Sequence, residues 1–160
     1  NRKHHGISGA NIVYTELRLL GMDLDEICTI TTAIANHEEE IGKAVTPMTA
    51  ALILADKSDA HRTRVHRKGN GRPDIHDRVN LAILDSKLSV DKNDKTITFE
   101  IEFDQSLCQI MDYFEIYLNR MEMCKQAAEL LDTRFRLVIN GLELLGHVEA
   151  YTDDTLSGVS

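Results

Sequence analysis

The chain has 160 residues, of which 42% are hydrophobic and 28% charged, as in an ordinary globular protein. Its formal net charge of −8 argues against a broad nucleic-acid or anionic-membrane interface, because both of those surfaces are themselves negative. No apolar run approaches the roughly 20 residues that span a bilayer. The three cysteines form no C-x-x-C pair, which predicts buried free thiols in a reducing cytoplasm.

The first half of the chain carries a helical pattern. Apolar residues recur every three or four positions up to a glycine, which predicts an amphipathic helix that ends near Gly21. Asp23 followed three residues later by Glu26 matches a capping box and predicts the start of a second helix. Thr46-Pro47 predicts the start of a third, since threonine caps helices and proline fits their first position. The residues expected to face inward are Ala10, Val13, Leu17, Leu20, Leu24, Ile27, Ile30, Ile34, Met48, Ala51, Leu52 and Ala55.

The second half changes its period. Residues 66–74 form a glycine-rich basic loop, either a lid over a polyanionic substrate or a linker, and a short helix is expected from Ile75 to about Leu84. Two runs of period 2 then flank residues 92–95, which predicts a β-hairpin. A long amphipathic helix follows, and a third strand precedes Asn140-Gly141. The apolar positions are Leu88, Val90, Ile97, Phe99, Ile101 and Phe103 in the hairpin, Leu107, Ile110, Phe114, Tyr117, Met121, Cys124, Ala128 and Leu131 in the helix, and Phe135, Leu137 and Ile139 in the last strand.

These elements predict a mainly α fold with a small C-terminal β-β-α-β appendage. We expect a helical domain over residues 1–84, the α+β appendage over 85–145 and a flexible polar tail over 146–160.

Three polar clusters stand out from this background, at residues 4–9, 36–40 and 55–62. Imidazole nitrogens and carboxylate oxygens suit divalent ions such as Mn, Fe, Co, Ni or Zn. Each cluster also has a simpler interpretation. A histidine at a helix end is commonly a cap or a surface residue, and the aspartates of the third cluster can be a solvated pair that binds nearby cations. The acidic run at 38–40 could contribute an acid or a base, but its simpler interpretation is a solvated face.

Taken together, the clusters resemble a known family. The segments His5-Gly-Ile-Ser-Gly-Ala, Ala33-Ile-Ala-Asn-His and Leu54-Ala-Asp-Lys-Ser-Asp-Ala-His-Arg are similar to the later motifs of HD-domain metal-dependent phosphohydrolases. They look closest to the branch that includes bacterial dinucleoside tetraphosphate hydrolases, with a more distant likeness to HD-GYP phosphodiesterases. The resemblance covers roughly residues 1–65 and implies a helical HD-type bundle. It assigns the metal ligands to His5, His37 and Asp56, with His4 as a substitute for His5.

The chain departs from the family pattern at its beginning. The family has an earlier histidine and a His-Asp doublet upstream of these motifs, and this sequence has neither before His4. Its own doublet, His76-Asp77, follows Asp56 and is therefore in the wrong order; we expect it to lie on a surface helix. If the upstream segment belongs to the parent protein, the resemblance implies a complete enzyme, and otherwise at least two ligands are missing.

The resemblance implies hydrolysis of a small phosphoester, such as a nucleotide, by water activated on a divalent ion (Mn, Fe, Ni, Co, Zn or Mg). Lys57, Arg62 and Arg64 are candidates to stabilise negative charge on the phosphate, and Asp59 to orient a ligand or a cation. Two alternatives remain. One is a catalytically silent module that binds a metal or nucleotide as a sensor. The other is an interaction protein that forms homo-oligomers through its appendage, with the strand at 96–103 as a possible edge.

Overall fold

The computed structural model describes residues 3–39, 41–65 and 74–146, apart from the side chain of Arg64. Within these ranges the chain forms five α-helices, one short 3-10 helix and four strands. In chain order they are α1 (His5–Leu19), α2 (Leu24–Ala35), α3 (Pro47–Lys57), the 3-10 turn (Arg62–Arg64), α4 (Ile75–Ala82), β1 (Ile83–Asp91), β2 (Thr96–Phe103), α5 (Ile110–Leu130), β3 (Arg134–Ile139) and β4 (Leu142–Leu145).

The end of α1 and the starts of α2 and α3 lie where their local signals predict. α1 is followed by Gly21 at φ +75°, a left-handed conformation that glycine adopts without steric cost. The Asp23 carboxylate accepts the backbone N–H of Asp25 at the start of α2, and Thr46 Oγ1 accepts that of Thr49 at the start of α3. Pro47 occupies the first position of α3, where its missing N–H leaves no hydrogen bond unmade.

The sheet has the order β1-β2-β3-β4. β1 and β2 form the predicted antiparallel hairpin, and β3 lies parallel to β2 after the crossover through α5. Asn140 and Gly141, at φ 52° and 78°, make a two-residue turn into β4, which pairs antiparallel with β3. Two consecutive positive φ values are typical of the tight hairpin turns that Asn-Gly favours.

One hydrophobic core joins the sheet to α3, α4 and α5. The inward face of β2 and β3 is buried against α5, and α5 also packs on α3. α1 packs on α2, and α2 packs in turn on α3. The largest fully buried side chains are Tyr113, Phe99, Ile27, Ile53, Ile83, Ile101, Met121, Leu137 and Ile139. Each of them stabilises the fold by about 1.5–3 kcal/mol relative to an exposed position.

The prediction of a mainly α protein with a small appendage is wrong, because the chain is α+β. The four-stranded sheet and α5 supply most of the buried cluster, and α3 contributes Ala50, Ile53 and Leu54 to the same cluster. Periodicity identified the strands but gave no information about which layer the core is built on. The boundary expected near residue 84 falls at the junction of α4 and β1, and the buried cluster runs across it.

Other expectations concern edges and loops. The strand at 96–103, expected as a possible edge, is β2, an interior strand flanked by β1 and β3. In the described sheet the edges are β1 and β4, so backbone groups for pairing with another chain lie there. The basic loop at 66–73 and the tail at 147–160 lie outside the described residues. No helix among the described residues is long and apolar enough to cross a membrane.

Candidate functional site

Two histidines from separate clusters meet at one end of the α1–α2 pair. His5 is the first residue of α1, and His37 follows the end of α2. Their Nε2 atoms are 3.1 Å apart, and the rings meet edge to face with centroids 4.9 Å apart. Of the His4-His5 doublet, His5 is therefore the residue whose ring contacts His37. His4 caps α1 in a left-handed conformation, and its side chain is exposed.

The other ring nitrogen of each histidine faces an acceptor. His37 Nδ1 donates to the carbonyl oxygen of Ile34 at 2.5 Å, since a carbonyl can only accept. His5 Nδ1 lies 3.5 Å from Glu38 Oε1. Metal-binding histidines commonly donate their outer N–H to a carboxylate or a backbone carbonyl, which fixes the tautomer and directs the inner nitrogen at the ion. Both kinds of partner are present in this pair.

The short distance between the two Nε2 atoms has a chemical consequence. With its proton on Nδ1, neutral His37 presents a lone pair at Nε2. That lone pair either accepts an Nε2–H of His5 or binds a metal ion that His5 Nε2 also binds. Two nitrogens that each lie about 2.0–2.1 Å from a zinc ion are about 2.8–3.4 Å apart at angles of roughly 90–110°. The observed 3.1 Å fits both possibilities.

Glu38 fastens this part of the chain to the start of α1. Its side chain is only 6% exposed, and its two oxygens accept the backbone N–H groups of His4 at 2.7 Å and Gly6 at 3.2 Å. Burial acts to raise the pKa of Glu38, but the hydrogen bonds from Gly6 and His4 and the nearby histidine charges outweigh it, so the pKa is lowered. Glu38 is thus an ionised cap on the helix that presents His5. The expectation that residues 38–40 form a solvated face is wrong for Glu38, and Glu40 lies outside the described residues.

A second group of charges lies beside the histidines, where α3 and α5 meet the segment after α2. Lys57 Nζ is 2.6 Å from Asp56 Oδ2 and 3.7 Å from Glu39 Oε1, and Lys57 is 3% exposed. Arg120 Nε on α5 is 2.6 Å from Glu39 Oε1. Partial burial acts to raise the pKa of Asp56, but the hydrogen bond and charge of Lys57, followed by the charges of His37 and Arg120, lower it overall.

The predicted metal ligands are brought together only in part. His5 and His37 converge, whereas the Asp56 carboxylate is bonded to Lys57. Over residues 3–39, 41–65 and 74–146, no group of three His, Cys, Asp or Glu side chains is arranged to hold one ion. Two imidazole nitrogens are donors of a kind that suits a divalent ion, but they are only two ligands. Any further ligand would have to come from rearrangement of Asp56, from solvent or from other protein groups.

The remaining predicted residues lie in different surroundings. Arg62 donates to the carbonyl oxygen of Leu81 at the end of α4, at 3.0 Å. Asp59 is exposed just after α3, and the side chain of Arg64 is not described. His76 is exposed on α4, as expected for a doublet outside the site.

Two residues of this region were missed by the sequence interpretation. Glu38 was taken for a surface acid because it sits in an acidic run, although it directly follows a candidate ligand. Arg120 lies on the long helix three residues after Tyr117 and four before Cys124, which are both buried. An arginine on the apolar face of a helix was the available signal, since such a residue needs a buried partner.

The chain has no significant match among protein-family models, curated proteins or solved structures. The interpretation of the site therefore depends on its own geometry and chemistry.

Proposed function

We propose that the protein is a metal-dependent phosphohydrolase, acting on a nucleotide or another small phosphoester. The observation that carries the proposal is the His5–His37 pair. Its inner nitrogens converge at 3.1 Å while its outer nitrogens face Glu38 and the Ile34 carbonyl. This arrangement supports divalent-metal binding, and the resemblance of the three clusters to HD-domain motifs supports a phosphoester as the substrate.

In this proposal His5 and His37 bind the ion. Glu38 orients His5, and the Ile34 carbonyl keeps the His37 proton on Nδ1, so that both Nε2 lone pairs face the same point. When bound, a divalent ion lowers the pKa of a water molecule and withdraws charge from a phosphate oxygen. Asp56, whose lowered pKa keeps it ionised, is the candidate for a third ligand or for orienting the attacking water.

The cations near the histidines are already neutralised by carboxylates. Lys57 is bonded to Asp56 and contacts Glu39, and Arg120 contacts Glu39. In the proposed reaction they hold these carboxylates in place, so the metal supplies most of the positive charge for the phosphate. This differs from the expectation that Lys57 and Arg62 bind phosphate directly, since Lys57 is almost fully buried and Arg62 is bonded at the end of α4.

A catalytically silent module that binds a metal or nucleotide is the second candidate. It is favoured by one observation, the lack of a third side chain placed around the ion within the described residues. A two-histidine site without further ligands binds metal weakly and leaves the orientation of an attacking water undefined.

The two candidates are distinguished by measuring metal content and turnover together. The wild type, His37→Ala and Asp56→Ala are incubated with Mn²⁺, Fe²⁺, Ni²⁺ or Zn²⁺, desalted, analysed for bound metal and assayed against a panel of nucleotides and phosphoesters. We expect about one or two equivalents of metal in the wild type, loss of metal in His37→Ala and loss of turnover in both variants. His76→Ala is the matched control, because His76 is exposed on α4, and it should retain both properties.

Metal binding without turnover on any substrate would support the silent module. No bound metal in the wild type would overturn the hydrolase and the metal-binding form of the silent module, and would leave only a module that binds a nucleotide without metal.

A further inference from the structure

Arg120 connects the middle of α5 to the segment that carries His37. Its Nε atom is buried and lies 2.6 Å from Glu39 Oε1. Its guanidinium stacks over the Tyr117 ring, 4.7 Å from the centroid, and Tyr117 Oη donates to Asn80 Oδ1 at 2.8 Å. The arginine is thereby held on one side by an aromatic ring and on the other by a carboxylate.

Glu39 is the point at which this contact meets the site. It also lies 3.7 Å from Lys57 Nζ, so cations from two different helices hold a single carboxylate. Glu39 is two residues after His37 and directly follows Glu38. Because so few backbone bonds separate these residues, a displacement of Glu39 also moves the ring of His37 and the carboxylate of Glu38, which faces His5.

This segment has little regular structure of its own to hold it. Residues 36–39 and 41–46 lie between α2 and α3 outside any helix or strand. Side chains on irregular backbone lose orientation easily unless other groups fix them, and metal affinity is sensitive to such support. The ion pair between Arg120, on a helix of the packed core, and Glu39 supplies this support.

We propose that Arg120 is a positioning residue of the metal site, acting through Glu39 on His37. The inference rests on the proposed metal binding by His5 and His37. Because partners outside the ligands typically change metal affinity by about 10–100-fold, removal of the Arg120 guanidinium should weaken binding by a factor in that range.

The direction in which metal affinity changes in Arg120→Met separates a positioning role from a purely electrostatic one. Removing a positive charge beside a cation site should, by charge alone, make the ion bind more tightly. Weaker binding in Arg120→Met therefore reports lost orientation of the histidines. Arg120→Lys keeps the charge but lacks the planar guanidinium, so it should restore binding only in part.

The test is a titration with Co²⁺, followed by its visible absorption, for the wild type, Arg120→Met, Arg120→Lys and Glu39→Gln. We expect affinity about 10–100-fold lower in Arg120→Met, a changed absorption spectrum, and a similar loss in Glu39→Gln. The Arg120→Met/Glu39→Gln double variant should bind Co²⁺ no more weakly than the weaker of the two single variants, because both changes break the Arg120–Glu39 contact. Arg136→Met is the matched control, since it removes another arginine–glutamate pair, with Glu143, on the sheet.

Three results would count against this inference. Equal affinity and spectrum in the wild type and Arg120→Met overturn it while leaving the metal site intact. Equal losses in Arg136→Met and Arg120→Met overturn it in favour of general destabilisation. A wild type that binds no Co²⁺ overturns the metal site itself. If Arg120→Met does not fold by circular dichroism, Arg120→Lys decides the question, because it keeps the positive charge and weaker binding then reports lost orientation.

Discussion

Lys57 gives the most direct test of how the charges beside the histidines are balanced. Its side chain is 3% exposed, and its ammonium group contacts the carboxylates of Asp56 and Glu39. Lys57→Met keeps most of the buried aliphatic stem and removes only the charged end, so the effect of packing is small. The change leaves two carboxylates beside each other with one cation fewer.

The size of the effect lies between two known limits. Breaking a fully buried ion pair costs about 3–5 kcal/mol, whereas an exposed pair contributes about 0–1 kcal/mol. The Asp56 and Glu39 side chains are 40% and 31% exposed, and Arg120 continues to contact Glu39, so solvent and arginine relieve part of the penalty. We therefore expect the free energy of unfolding to fall by about 2–3 kcal/mol, with a Tm lower by about 5–10 °C.

The measurement is urea unfolding at neutral pH, with Lys95→Met as the matched control. Lys95 makes the same kind of contact with Asp132, but those two side chains are 64% and 86% exposed. The control should therefore lose less than about 1 kcal/mol. If Lys57→Met loses no more than Lys95→Met, Lys57 has no structural role as a buried counter-ion, and a direct role with substrate regains support.

Three further predictions concern the same region and the thiols. Gly42→Ala places a Cβ against the backbone oxygens of Asn36 and Glu38, so we expect a loss of about 1–3 kcal/mol and of bound metal. Gly21→Ala, strained by its φ of +75° but open in space, should lose stability alone. Glu38 has a folded-state pKa below its ordinary 4.5, so its contribution to stability is present above that pH and disappears as the pH falls through the lowered value. Glu38→Gln should therefore reduce the pH dependence of urea unfolding below 4.5, and an unchanged profile would contradict this. Burial raises the pKa of the Cys124 thiol to about 12 and also raises that of Cys108, whereas Cys28, expected to be buried, is exposed. A thiol reagent should therefore modify Cys28 rapidly and the other two only on unfolding, and fast labelling that persists in Cys28→Ser would refute this.

The sequence determined the local elements of the fold. Asp23, Thr46 and Gly21 mark helix ends through contacts or backbone conformations confined to a few neighbouring residues, and the structure has them as predicted. The alternating strands and the long helix were also identified, because residues two or four positions apart share a face whatever surrounds them. β4 was missed, although Asn140-Gly141 is a strong hairpin signal, because its four residues are too few to show a period.

The tertiary structure alone decided which residues form the site and which layer forms the core. The sequence separated His5 from His37 by 32 positions, and the packing of α1 on α2 brings their rings together. It gave no indication that Glu38 is buried or that Arg120 reaches Glu39, because both depend on segments that are distant in the chain. Periodicity reports which side of an element is apolar and leaves open what covers that side. For that reason the sequence predicted an appendage, whereas the folded chain buries the sheet beneath α5 as the centre of an α+β protein.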